Sequence, residues 1–162
     1  MRINRQVIPL NKEISFAEEI DFSKAEFDSV FIRKITSCQV KAKAFQSDKI
    51  LRIVVDIKSE VVAISGYSLQ DVPLSIKAHD ELIFSDDPKD EDAIYEPKNI
   101  FDIDNHILSI ILAHIPNRVV GKGEKLPESG KGYRILTEEE YLKEKETKPD
   151  SRWEKLDSVK IE

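Results

Sequence analysis

From Gln39 to Ala78 the chain repeatedly alternates apolar and polar residues, and this period of two is what most limits the folds open to it. Leu51, Ile53, Val55 and Ile57 alternate with Arg52, Val54, Asp56 and Lys58, a pattern broken only by Val54. Val40, Ala42 and Ala44 alternate with Gln39, Lys41 and Lys43, and Leu74, Ile76 and Ala78 with Ser75, Lys77 and His79. Between them the run from Glu60 to Ile64 is mostly β-branched and reads as a further strand. Ser47-Asp48 and Ser65-Gly66 supply turn residues. A parallel pairing needs a crossover of a dozen or more residues, so strands this close in sequence predict an antiparallel sheet with one largely buried face. A short helix is expected around Asp21 to Asp28.

The character changes at Ser85. Ser85-Asp86-Asp87-Pro88-Lys89-Asp90-Glu91-Asp92 has no burial pattern and reads as a charged, mobile loop extending to about residue 98. A helix follows. Asp104 is a candidate cap, and Leu108, Ile111, Leu112 and Ile115 fall at i, i+3, i+4 and i+7, a stripe expected to close over the sheet until Pro116 ends the helix. Glycines at 121, 123, 130 and 132 mark a flexible connection. The architecture expected is α+β: a mainly antiparallel curved sheet or partly open barrel, one covering helix and short C-terminal helices. Residues 1–136 form one domain in this reading, and 137–162 a helical tail.

The tail has its own local signals. Thr137 followed three residues later by Glu140 is a capping box, in which the threonine oxygen accepts an orphan amide and the glutamate reaches back. Glu138, Glu139 and Glu140 suit the positive end of the helix dipole, and Pro149 stops the helix. Asp150 can cap a last turn carrying Arg152, Trp153 and Leu156.

These parts, taken in order, resemble a known family. The apolar helix ending Ala113-His114-Ile115-Pro116, a polar loop, Ile135-Leu136-Thr137-Glu138-Glu139-Glu140 and a terminal Asp150-x-Arg152-Trp153-x-x-Leu156 are similar to the YceD family, the large ribosomal RNA subunit accumulation proteins. Ile20-Asp21-Phe22-Ser23 ahead of the strands fits as well. One departure is clear. Many members carry a Cys-x-x-Cys-like pattern where this chain has Ala63 to Gln70, and further cysteines after the helix proline; here serines stand instead. Hydroxyls do not replace zinc-binding thiolates, so no metal role is carried over. The resemblance implies a cytoplasmic bacterial factor supporting accumulation or processing of large-subunit ribosomal RNA, without enzymatic activity or cofactor.

Charge bears on that expectation. From Asp80 to Asp104 ten acids face two lysines, a net of −8, whereas the whole chain carries only −6; the remainder is therefore positive. Between Pro116 and Arg134, five bases (Arg118, Lys122, Lys125, Lys131 and Arg134) face two glutamates. Those five, with Arg152 and Trp153, are the candidate RNA- or partner-binding residues. Each has a plainer reading: charged residues among glycines serve as a soluble linker, and a lone tryptophan near a terminus docks a tail. The single Cys38 cannot form an intramolecular disulfide, the first residues lack a signal peptide's apolar stretch, and the run from Ile107 to Ile115 is far short of the ~20 residues that span a bilayer. Cytoplasmic location and no membrane partner are the corresponding expectations.

Catalytic chemistry finds little support. His79, His106 and His114 are far apart, no nucleophile motif is present, and Gly121-Lys122-Gly123-Glu124-Lys125 lacks the P-loop pattern. Asp102-x-Asp104-x-His106 reads as capping and solvated charge before it reads as metal ligands, and Cys38 as a small buried residue. The leading expectation is a non-catalytic assembly factor that binds a ribosomal RNA precursor, a ribosomal protein, or both. A small-molecule binding β-barrel, carrying a lipid or metabolite, is the alternative. A processing nuclease ranks last.

Overall fold

The structure, a computed structural model, describes residues 1–25, 32–126 and 128–147. The chain divides into two compact units, Met1–Gly121 and Lys122–Glu162. The first is α+β. Five strands form one sheet: β2 (Glu13–Glu19), β3 (Ile32–Ser47), β4 (Ile50–Ile64), β5 (Asp71–Ser85) and β6 (Ile94–Tyr95), in the order β2-β3-β4-β5-β6. The pairings are antiparallel except β5 with β6. The sheet stays open, with β2 and β6 at its ends. A separate antiparallel ribbon joins β1 (Arg2–Asn4) to β7 (Ile100–Asp102), and helix α1 (Asp104–Ala113) follows directly. No helix among the described residues is long and apolar enough to cross a membrane.

The alternation expected of β4 runs its whole length. Leu51, Ile53, Val55, Ile57, Ser59, Val61 and Ala63 are all buried, so Leu51–Lys58 and Glu60–Ile64 are one 15-residue strand and not two. The break anticipated at Ser59 does not occur because its hydroxyl donates to the Ser37 carbonyl at 2.9 Å, which satisfies a polar group inside the core. In β3 the buried positions Ile32, Ile35 and Cys38 are three apart, not two. Two register shifts against β4 account for this, one between Ile32 and Lys34 and one between Ile35 and Ser37. Each bulge puts one extra residue on the solvent side. The extra residues are held in place: Arg33 Nε lies 3.3 Å from Asp71 Oδ1, and Thr36 Oγ1 donates to the Glu60 carbonyl at 3.0 Å.

Above the buried face, α1 packs against β4 and β5 and the ribbon contributes Ile3 and Phe101 to the same core. Burying an aliphatic side chain contributes about 1.5–3 kcal/mol, so the isoleucines of this layer hold the helix in place. The helix face differs from expectation. Ile107, Ile110 and Ile111 are buried, while Leu108, Leu112 and Ile115 are only partly buried at the margin. The helix is apolar around much of its circumference, so periodicity alone does not choose the face; the approach set by Ile103, fully buried one residue before α1, does. Asp104 is not the cap. Ile103 occupies that position without a side-chain hydrogen bond, and Asp104 is the first helical residue, its amide donating to Asp102 Oδ1 at 2.8 Å. The Asp104 carboxylate pairs with the Met1 amino group.

Two further expectations change. The acidic segment is not structureless: Ile94 and Tyr95 pair with Phe84 and Ser85, and the Glu96 amide donates to the Ser85 carbonyl at 2.9 Å. Ile94 packs on the core, an anchor hidden among acids. The helix expected from Asp21 is a single turn as far as Ala25, whose amide donates to the Phe22 carbonyl at 3.0 Å; its remainder lies outside the described residues.

In the second unit, α2 spans Glu138–Thr147. The capping box forms: the Glu140 amide donates to Thr137 Oγ1 at 3.1 Å and the Thr137 amide to Glu140 Oε2 at 2.8 Å. The Thr137 amide and hydroxyl hold the Glu140 carboxyl below its ordinary value. Asp150, Arg152, Trp153 and Leu156 lie outside the described residues.

Candidate nucleic-acid interface

The β4–β5 turn is built around Ser65. Its side chain is completely buried and its oxygen accepts from the Tyr67 amide at 3.1 Å and the Ser68 amide at 3.3 Å, a side chain standing in for a backbone turn acceptor. Thus, where the family resemblance leads one to look for a thiol, a hydroxyl has a structural task. Among the described residues no three His, Cys, Asp or Glu side chains converge to hold a metal ion. Leu69 closes the turn with φ of 60° and is 72% exposed. A leucine in this region costs roughly 1–2 kcal/mol, so the turn displays a large apolar side chain at an energetic disadvantage.

After α1 the chain returns to this turn. The Gly66 amide donates to the Val119 carbonyl at 2.9 Å, Val119 is buried, and the Arg118 guanidinium stacks 4.7 Å from the centre of the Tyr67 ring. The stack fixes Arg118 while leaving it exposed. A planar cation held over an aromatic ring offers both charge and a flat face to a phosphate or base.

The other candidate residues are placed differently. Lys122, Lys125, Lys131 and Arg134 belong to the second unit and are exposed. Arg134 is engaged, Nη1 lying 3.1 Å from Glu144 Oε1. Arg152 and Trp153 fall outside the described residues.

Sequence reasoning missed three lysines. Lys34, Lys58 and Lys77 are exposed on the open face of the sheet, Lys58 directly opposite Lys77 and Lys34 opposite Val62, with no acid in ion-pair range among the described residues. Like charges facing each other across a ladder are unfavourable unless something bridges them. Nearer the other end of the strands several outward bases have acidic partners: Arg52 lies 3.1 Å from Glu81, Lys43 3.7 Å from Glu13 and His79 2.7 Å from Asp56. The signal available in sequence was the outward register of each strand, but it becomes a surface only once the bulges fix how β3 lies on β4.

The pairing of Ile50 with Ser85 and of Ile64 with Asp71 puts the charge centres of this unit at opposite ends of the sheet. The acidic segment leaves β5 at Ser85, beside the β3–β4 turn, whereas Arg118 sits on the β4–β5 turn. At about 3.3 Å per residue the intervening strand separates them by roughly 45 Å. That is several times the ~8 Å over which charge is felt at physiological salt, so the acidic end leaves the basic end electrostatically independent. No family model, no curated protein and no solved structure matches the chain.

Proposed function

We propose that this protein is a non-catalytic ribosome biogenesis factor that supports accumulation or processing of large-subunit ribosomal RNA by binding RNA at its β4–β5 end. The resemblance of the C-terminal motifs to the YceD family supplies the biological setting. The observation that carries the binding mode is Arg118 stacked on Tyr67, in the same half of the unit as the unpaired Lys34, Lys58 and Lys77 and remote from the acidic segment that follows Ser85. Lys122, Lys125 and Lys131, which belong to the second unit, and Arg152 and Trp153, further along the sequence, are candidate RNA contacts of their own. The acidic segment suits a second partner of opposite charge, a basic ribosomal protein, because masking the charge of such a protein is what a dense array of carboxylates does. In this reading the factor acts in the cytoplasm.

Co-sedimentation of the tagged protein with ribosomal particles at low and raised salt tests this. Salt-sensitive association with large-subunit precursors is expected; protein at the top of the gradient at both salts, in growing cells, overturns it. The alternative, a carrier of a lipid or metabolite, draws on one observation: an apolar groove of about 280 Å³ lined by Ile3, Val7, Ile8, Ile14 and Phe16. Because the sheet is open, such a ligand would sit in this surface groove and not in a barrel interior.

A further inference from the structure

The outer edge of β2 has no neighbouring strand among the described residues. The Ile20 amide donates to the Cys38 carbonyl at 2.9 Å, which fixes the phase of the ladder. Ile14, Phe16 and Glu18 exchange bonds with β3, and the amides and carbonyls of Glu13, Ser15, Ala17 and Glu19 point away from it, out of the sheet edge. None of these outward groups has a backbone partner among the described residues. The side chains of Ile14 and Phe16 stand on the core side of the sheet, opposite Ala44 and Ala42, and are only partly buried. They form one wall of the groove of about 280 Å³, whose other wall includes Val7, 67% exposed. Glu18 follows them on the same side and is exposed, and neither it nor Lys12 has an ion-pair partner among the described residues.

A strand added antiparallel to this edge therefore needs a base opposite Glu18, then an apolar residue opposite Phe16 and another opposite Ile14, at alternate positions. Lys12-x-Ile14-x-Phe16 is that sequence. We propose that the edge is occupied by a second copy of this chain, joined β2 to β2 about a two-fold axis through Ser15. In this register Ser15 faces Ser15 and Glu13 faces Ala17, all residues with outward backbone groups, so each pair exchanges both of its bonds. Ile14 meets Phe16 of the second copy at the groove, and Lys12 meets Glu18. The Glu13–Lys43 pair, on the opposite face, is left intact. Moving the axis to Phe16 would set Glu13 against Glu19 and Glu18 against Ile14, so the acids that guard the edge against indiscriminate pairing also select its register. This interface is separate from the proposed RNA-binding end and does not depend on that reading.

Sedimentation velocity of the full chain over a concentration series tests this, and a reversible dimer is expected. Ser15→Pro removes an outward amide without removing a bond to β3, and should leave a folded monomer. Glu18→Lys and Lys12→Glu each set like charges face to face at both ends of the pairing, and each should weaken dimerisation roughly tenfold or more. An equal mixture of these two variants should recover it as a mixed dimer, which no role of the two residues within a single copy reproduces. Thermal melting shows that each variant is folded; should Ser15→Pro fail to fold, the charge pair decides. A wild type that stays monomeric at every concentration overturns the proposal, including one whose Glu13 to Glu19 amides shift with an added lysine-rich peptide or with palmitate. So does a dimer that neither charge reversal weakens, or one that the mixture does not restore.

Discussion

Ser59 donates its hydroxyl hydrogen to the Ser37 carbonyl across the β3–β4 ladder, 2.9 Å away, at the point where the second bulge returns β3 to register. The side chain is 1% exposed, so water does not replace this bond. Ser59→Ala should destabilise the first unit by about 1–2 kcal/mol, because the carbonyl loses its donor in a dry environment. Chemical denaturation checks this, and a midpoint identical to wild type would show that the Ser37 carbonyl finds another donor.

Arg118 and Tyr67 are joined at the surface, where a cation–π pair contributes only about 0.5–1 kcal/mol. Arg118→Ala should therefore leave stability nearly unchanged while reducing the salt slope of RNA binding by about 0.9, the loss of one phosphate contact. Tyr67→Ala should weaken binding in the same direction by freeing Arg118. Filter binding across a salt series reads both, and unchanged slopes would remove this pair from the interface.

Neutralising the acidic end should not affect RNA. Replacing Asp86, Asp87, Asp90 and Asp92 together by asparagine is expected to change affinity less than twofold at physiological salt, since these carboxylates stand several screening lengths from the β4–β5 turn. A large gain in affinity would mean that RNA extends along the sheet to the acidic end. Binding of a basic ribosomal protein, by contrast, should fall with the same substitutions.

Burial pushes the Cys38 thiol up from the usual 9.0 to about 11, with the Asp104 and Glu19 carboxylates adding to the shift. Near pH 8 only about one molecule in a thousand carries the reactive thiolate at such a value. Alkylation of native protein should proceed at the rate of unfolding, measurable by comparing modification with and without denaturant. The folded state favours the neutral thiol, so this group's contribution to stability is fully present below pH 9 and lost as pH rises through about 11.

Glu140 behaves in the opposite sense. Its folded carboxyl is held below the ordinary 4.5 by the Thr137 amide and hydroxyl. Its contribution is present above that ordinary value and lost as pH falls through the lower folded one. The first turn of α2 should fray on acidification in that window, read from the backbone amide shifts of Thr137 to Tyr141. Thr137→Ala should cost the helix about 1 kcal/mol at neutral pH and leave less structure to titrate.

Legibility in the sequence followed the regularity of local signals. β4 was readable over most of its length, though as two strands, and β5 only from Leu74 to His79, because Asp80 and Glu81 interrupt its alternation before Leu82 and Phe84; Thr137 with Glu140 announced its own geometry because a capping box needs nothing beyond four residues. The start of β3 was hidden, because Ile32, Ile35 and Cys38 fit neither a strand's period nor a helix's until two bulges are allowed. The ribbon of β1 and β7 was hidden for a different reason: three-residue strands carry no period, and their partners are about a hundred residues apart. Of the candidate site, Arg118 was named from composition, but its support by Tyr67 and Val119 is a tertiary fact. Lys34, Lys58 and Lys77 become neighbours only through register.

The two bulges of β3 also decide where this hairpin can change length. Arg33 and Thr36 are each one residue more than β4 supplies, and each is absorbed on the solvent side, so Ile32, Ile35 and Cys38 all stay inside opposite Ala63, Val61 and Ser59. Removing Arg33 or Thr36, singly or together, would restore plain alternation and leave every inward residue in place. Removing a residue from the regular part of the strand, such as Lys41, would instead exchange the two faces for the positions before it and turn Val40 and Cys38 toward solvent. The hairpin thus carries two positions at which a single residue can be lost without disturbing its interior.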